Sequence, residues 1–181
     1  LPLFNGCNNN YNNTIDKIFE KEQFVKTKTL IKFKNGIAAY KDLKKVIFFD
    51  VVQPSNCGFH NDLSASSLAI EISAYGEKII TNCGGSEIGG KNPAYLKYSA
   101  AHSTIILDNT NVSEIKEGEF NTDFVKKVNY ETKDDEDLLI LSGTHNGYLT
   151  KYRKICKRTL FISKKRDLFR CEDTIISTKS I

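Results

Sequence analysis

The chain of 181 residues contains no methionine, not even at position 1. An intact reading frame ordinarily opens with one, so the sequence reads as an internal piece of a longer polypeptide. Any export signal would then lie upstream of Leu1. No apolar run approaches the roughly 20 residues that span a bilayer, so no membrane span is expected. Five cysteines (Cys7, Cys57, Cys83, Cys156, Cys171) form no C-x-x-C pair, which leaves a zinc ribbon or a thioredoxin-type motif without support. They read as small, partly buried thiols outside any disulfide framework. Charge of one sign is not concentrated either. The formal net charge is +4, but lysine is spread along the chain in short clusters such as Lys44-Lys45, Lys126-Lys127 and Lys164-Lys165-Arg166. Solvated strand edges and turn tips account for these better than an anion-binding stripe, and nucleic acid is not an expected partner. Also missing is any helical apolar stripe longer than two turns.

What is present is a period of two. Hydrophobic content of 40% and charged content of 27% suit one globular domain with a proper core. Thr27 to Phe33, closed by Asn35-Gly36, reads as a strand and hairpin turn, with Gly36 to Tyr40 pairing back onto it. Further strands are expected over Val46–Val52, Ser67–Ser73, Lys78–Asn82, Thr104–Asp108, Phe124–Glu131, Leu138–Ser142, Tyr148–Ile162 (one bent strand or two) and Leu168–Ile176. Turn signals between them recur, so the fold class is all-β, a large antiparallel β-sandwich. Residues 24–181 are assigned to this domain, truncated at its C-terminus, and the asparagine-rich residues 1–23 to a linker from a missing N-terminal domain. A short helix or irregular crossing is expected over Asp16–Phe24.

The stretch from Gly58 to Asp108 holds two of the three histidines. His60, Asp62, His102 and His145 are side chains that bind a divalent metal or carry out acid–base work near neutral pH. Each is also compatible with an ordinary hydrogen-bonded structural role. Tyr95 and Tyr98 precede His102; in a cleft they would stack on a ligand's rings or supply a proton, and otherwise they are packing at a strand start. Glu71 alternates with Ile70 and Ile72 and so faces the other way, toward solvent or into a buried polar network.

The order of motifs resembles the C-terminal β-sandwich domain of the heparinase II/III-like polysaccharide lyases. That family shows H-x-H-x-D-x-L-S-F-E-L, then V-D-P-G, then T-A-A-H-N-T ending in Asp-Gly. The corresponding segments here are Asp62 to Ile72, Ile80 to Gly84 and Ser99 to Asp108. Downstream, Gly143 to Tyr148 (G-T-H-N-G-Y) is similar to H-D-G-Y, Ile155 to Arg158 (I-C-K-R) to V-H-R-R, and Cys171-Glu172-Asp173 to G-E-D. The opening L-P-L-F-N-G fits the segment that links the family's two domains.

The resemblance implies β-elimination on a uronic-acid glycan. That chemistry neutralises the uronate carboxylate, removes the C5 proton and protonates the departing O4 oxygen. It implies an acidic polysaccharide as partner, an N-terminal α/α-toroid carrying most catalytic groups, and a periplasmic or cell-envelope location. Catalytic candidates in this chain are His60, Asp62, Tyr98 and His145. The family's zinc ligands fall on Ser64, Asn82 and His102, and only His102 keeps its identity. A hydroxyl and an amide are poor zinc ligands, so no cofactor is expected, with zinc at His102 as the alternative. Two readings follow: a zinc-free branch with lyase chemistry, which the tidy Asn82-Cys83-Gly84 turn favours, or a non-catalytic carbohydrate-binding or domain-packing module.

Overall fold

The computed structural model describes residues 30–53, 64–83, 94–116, 119–121 and 125–178. The expected linker, the helix over Asp16–Phe24, and His60 and Asp62 lie outside these residues. Among the described residues, the strands fall mostly in two antiparallel sheets. The first is a meander of β1 (Leu30–Lys34), β2 (Ile37–Lys41), β3 (Lys45–Asp50), β4 (Ile70–Ala74) and β5 (Glu77–Ile80) in that spatial order. The second comprises β8 (Val128–Asp134), β9 (Leu138–His145), β10 (Lys154–Ser163) and β11 (Phe169–Ser177), ordered β11-β10-β9-β8. A small hairpin, β6 (Glu114–Lys116) with β7 (Glu119–Asn121), stands apart, and α1 (Leu149–Tyr152) is a single helical turn.

Local chemistry explains the hairpins. Lys34 pairs with Ile37 around Asn35 (φ 51°) and Gly36 (φ 78°), a two-residue turn with both central residues left-handed. At Gly36 a Cβ would lie 2.5 Å from the Val52 Cα, so the turn requires glycine twice over. Tyr75 (φ 54°) and Gly76 (φ 85°) close β4 onto β5 in the same way.

Alternation builds the core. Ala38, Tyr40, Ile47, Phe49, Ile70 and Ile72 from the first sheet meet Leu139, Leu141, Leu160 and Ile162 from the second. The sandwich expected from the period of two is therefore observed. The far face of the first sheet is covered as well, because Ala39, Phe48 and Glu71 are all buried. A second apolar cluster of Ala65, Ile105, Val112, Val125, Tyr148 and Cys156 underlies the loops at one end.

Two expectations are corrected, and one hairpin is additional. Thr104–Asp108 is not a strand. After the single turn Ser99–Ala101 the chain runs irregularly to a Leu107–Thr110 bridge around Asp108 (φ 49°) and Asn109 (φ 51°). Ile105 is spent on the second cluster, and the Thr104 hydroxyl on the Ser67 carbonyl, instead of on a ladder. The stretch from Tyr148 holds α1, stopped by Arg153 in the left-handed region (φ 53°), before β10 begins. The β6–β7 hairpin was not foreseen, since its three-residue strands are too short to display a period.

Candidate functional site

Three loops meet beside β4. Between β3 and β4, the Ala65 amide donates to the Lys97 carbonyl (2.8 Å) and the Leu68 amide to the Asp50 carbonyl (2.9 Å). After β5, the Cys83 amide donates to the Ala101 carbonyl (2.9 Å). Ser99 fastens the third loop, its hydroxyl donating to the Ala65 carbonyl (2.8 Å) and accepting from the Val112 amide (2.9 Å). These bonds bring the segments carrying Ser64, Asn82 and His102 to one place, and all three residues are buried. Sequence reasoning missed Asp50 and Ser99. Asp50 is buried, its carboxylate accepting from the Val52 amide (3.0 Å) and the Ser66 hydroxyl (3.0 Å). The serine-rich run Ser64-Ala65-Ser66-Ser67 was the available signal, since short hydroxyls compete for backbone groups in turns.

Asn82 is fully engaged. Its Oδ1 accepts from the Ser103 amide (2.7 Å) and lies 3.1 Å from the Ser103 hydroxyl, which donates to the nearer Ile70 carbonyl (2.6 Å), while its Nδ2 donates to the Ile70 carbonyl (3.2 Å) and to Glu71 Oε1 (3.3 Å). The Asn82 backbone amide donates to the same Glu71 oxygen (3.1 Å). Of the two fates open to Glu71, the structure selects the buried network. Burial raises its carboxyl pKa, with the Asn82 bonds working in the opposite direction.

His102 lies in the same loop, with Nε2 donating to the Leu96 carbonyl (3.0 Å). That bond leaves Nδ1 as a lone pair, which is buried and has no partner among the described residues. Desolvation holds the imidazole pKa below its usual value. Tyr95 and Tyr98 stand at the surface just upstream, 59% and 39% exposed. The Tyr98 amide donates to the Tyr95 carbonyl (3.2 Å), the three-residue spacing that sets both on one side of the turn.

His145 sits elsewhere. It ends β9 in the interior, 1% exposed, with Nδ1 accepting from the Gly147 amide (3.1 Å). Desolvation, reinforced by the Arg158 charge, pushes its pKa down to about 4. The structure thus separates an exposed tyrosine pair just upstream of His102 from a buried His145 at the end of β9. Arg158 spans the two regions, donating from Nη1 to the Leu68 carbonyl (2.7 Å) and to the Ser103 carbonyl.

Zinc takes about four N, O or S ligands. Among the described residues no three His, Cys, Asp or Glu side chains are grouped to hold a metal. Asn82 has spent its oxygen on Ser103 and points an amide N–H at Glu71, and His102 alone offers a free lone pair. The described donor set does not fit zinc.

No curated protein matches the chain by sequence. Among solved structures, heparan sulfate lyase HepC from Pedobacter heparinus superposes with a TM-score of 0.66 at 17% identity, over 97% of this chain and 29% of that one. A heparinase III gene product gives a TM-score of 0.65 at 13% identity, over 98% of this chain and 30% of its own. At such identities the likeness establishes the fold, and the chain spans under a third of the length of either structure. Among the described residues no helix is long and apolar enough to cross a membrane. The family model for the heparinase II/III-like C-terminal domain matches residues 33–181, and the chain belongs to that family.

Proposed function

We propose that this chain is the β-sandwich part of a polysaccharide lyase that cleaves a uronic-acid glycan by β-elimination. The toroid outside this sequence would supply most of the catalytic groups. The observation that carries the reading is family membership over residues 33–181, joined to an exposed Tyr95–Tyr98 pair beside the His102 loop. Aromatic faces stack on sugar rings, and a phenol donates a proton to a leaving oxygen. Tyr98 is the group on this domain for the O4 proton, and His60 and Asp62, outside the described residues, are further catalytic candidates from the family resemblance. His102, buried and held by Leu96, positions the loop instead of touching sugar. His145 supports the interior. The family chemistry suits a protein of the periplasm or cell envelope.

The test is the full-length protein incubated with heparan sulfate, alginate and related uronates, following absorbance of the new 4,5-double bond. Product from at least one substrate is expected. Tyr98→Phe should lower kcat by about 100-fold with KM nearly unchanged if the hydroxyl transfers the proton. A rise in KM alone on Tyr98→Ala would assign a stacking role. No double bond with any of these glycans would sink the enzymatic reading for them. The second reading, a glycan-binding or domain-packing module, is favoured by one observation, the loss of ligand character at Ser64 and Asn82. Retained glycan binding without product would establish it.

A further inference from the structure

We propose that Glu71, Asn82 and Ser103 form a direct polar brace that organises the His102 loop without a metal ion, with Asn82 and Glu71 as positioning residues for the imidazole. The argument is one of donors and acceptors. Asn82 Oδ1 accepts from the Ser103 amide, and its Nδ2 gives one proton to the Ile70 carbonyl and the other to Glu71 Oε1. The Ser103 hydroxyl accepts from the Ile70 amide (2.8 Å) and donates to the Ile70 carbonyl (2.6 Å), with Asn82 Oδ1 at 3.1 Å. One side chain therefore joins β4, the end of β5 and the residue following His102.

Only an amide satisfies this arrangement. A carboxylate at position 82 would keep the Ser103 amide bond but would set acceptor against acceptor at Ile70 and at Glu71. Both residues are buried, so that mismatch is not relieved by water. The amide is fitted to Glu71, not to a cation. Upstream, the Ser99 carbonyl accepts from the His102 amide (3.0 Å) and the Leu96 carbonyl accepts from Nε2–H, which sets the tautomer, so the imidazole is held on one side by these bonds and on the other by the anchored backbone of Ser103.

Thermal unfolding and ¹⁵N spectra of the histidine side chains, with His102 assigned through His102→Gln, test the brace at one fixed pH. The wild-type midpoint should be the same in excess EDTA and in zinc chloride, and His102 should show the Nε2–H pattern in both. A midpoint raised by zinc overturns the proposal. Asn82→Asp should lower the midpoint by several degrees and disturb the His102 pattern, and zinc should restore neither. Adding Glu71→Gln to that variant should recover much of the loss, because the amide introduced at position 71 donates to the carboxylate introduced at position 82, reversing the sense of the native bond. A neutral Asn82→Asp, or one rescued by zinc, refutes the brace. If Asn82→Asp does not fold, Ser103→Ala serves, since it removes the hydroxyl links but leaves the Ser103 amide bond. An unchanged His102 spectrum in folded Ser103→Ala counts against the proposal.

Discussion

His145 gives the clearest residue-scale consequence, because a buried imidazole converts pH into stability. In the unfolded chain it titrates near its ordinary value of 6.5, whereas folding holds it down to about 4. Between those values the unfolded state binds more protons, so stability rises with pH across the window and is lost as pH falls through it. The full gap corresponds to about 3 kcal/mol. Glu71 works the other way: burial raises its pKa, so its contribution is lost as pH rises through the folded value. Asp42, whose pKa is lowered with its Lys45 and backbone hydrogen bonds outweighing burial, adds to acid lability further down. The His145 share is therefore read as a difference. Urea unfolding at pH 7 and pH 4 should show a loss in the wild type larger by about 3 kcal/mol than in His145→Gln. Equal losses in the two proteins would mean that His145 is hydrated. The sequence placed this histidine in a family motif but had no means of showing that it is dry. Burial depends on Tyr148, which tilts against it at 5.7 Å between ring centroids and is itself pinned to the Ile105 and Thr110 carbonyls.

At the scale of elements, Gly143 governs how closely the two sheets approach. It lies on β9 with the parity of Leu139 and Leu141, so a side chain there would point into the sandwich. A Cβ would lie 2.5 Å from Leu68 Cδ2 and 2.9 Å from Phe49 Cζ, both in the close-packed core. Gly143→Ala should cost about 1–3 kcal/mol by overpacking, measured as a lower urea midpoint with an unchanged slope. Little or no change would show that the sheets can separate cheaply. Strand pairing was legible because its signals are local: Asn35-Gly36 closes β1 on β2, apolar runs mark β3 and β9, and alternation marks β10. The loop after His102 was not. Thr104 to Asp108 is β-branched and apolar like a strand, yet Thr104 bonds to Ser67 and Ile105 enters the second cluster, both across long sequence separations. The candidate site was legible as positions and not as contacts. Asn82 could be recognised as lacking a metal-ligand carboxylate, but its dependence on Glu71 and Ser103 needed the fold.

For the whole molecule, Arg158 is the point where separate sequence signals become one structure. The I-C-K-R and C-E-D motifs were read independently, and they meet as Arg158 on β10 facing Asp173 on β11. Nε and Nη2 take the two carboxylate oxygens at 2.7 and 2.8 Å, a bidentate geometry, while Nη1 reaches the loop carbonyls of Leu68 and Ser103. One buried guanidinium thus ties the second sheet to two of the three loops that form the site. Removing one partner of a buried pair costs about 3–5 kcal/mol. The Asp173 side chain is 39% exposed, so solvent screening lowers the expected loss for Arg158→Met to about 2 kcal/mol, most of it from the two stranded carbonyls. Asp173→Asn should cost less, about 1 kcal/mol, because Arg158 keeps its carbonyl bonds and one side-chain acceptor. Arg158→Lys should recover little, since a single ammonium cannot span a carboxylate and two divergent carbonyls. A double-mutant cycle over Arg158→Met and Asp173→Asn by urea unfolding separates the two functions of the guanidinium. Coupling well below the Arg158→Met loss would assign its main task to the loops. Coupling equal to that loss would reduce Arg158 to a clasp between β10 and β11, and the His102 loop would then depend on its own hydrogen bonds alone.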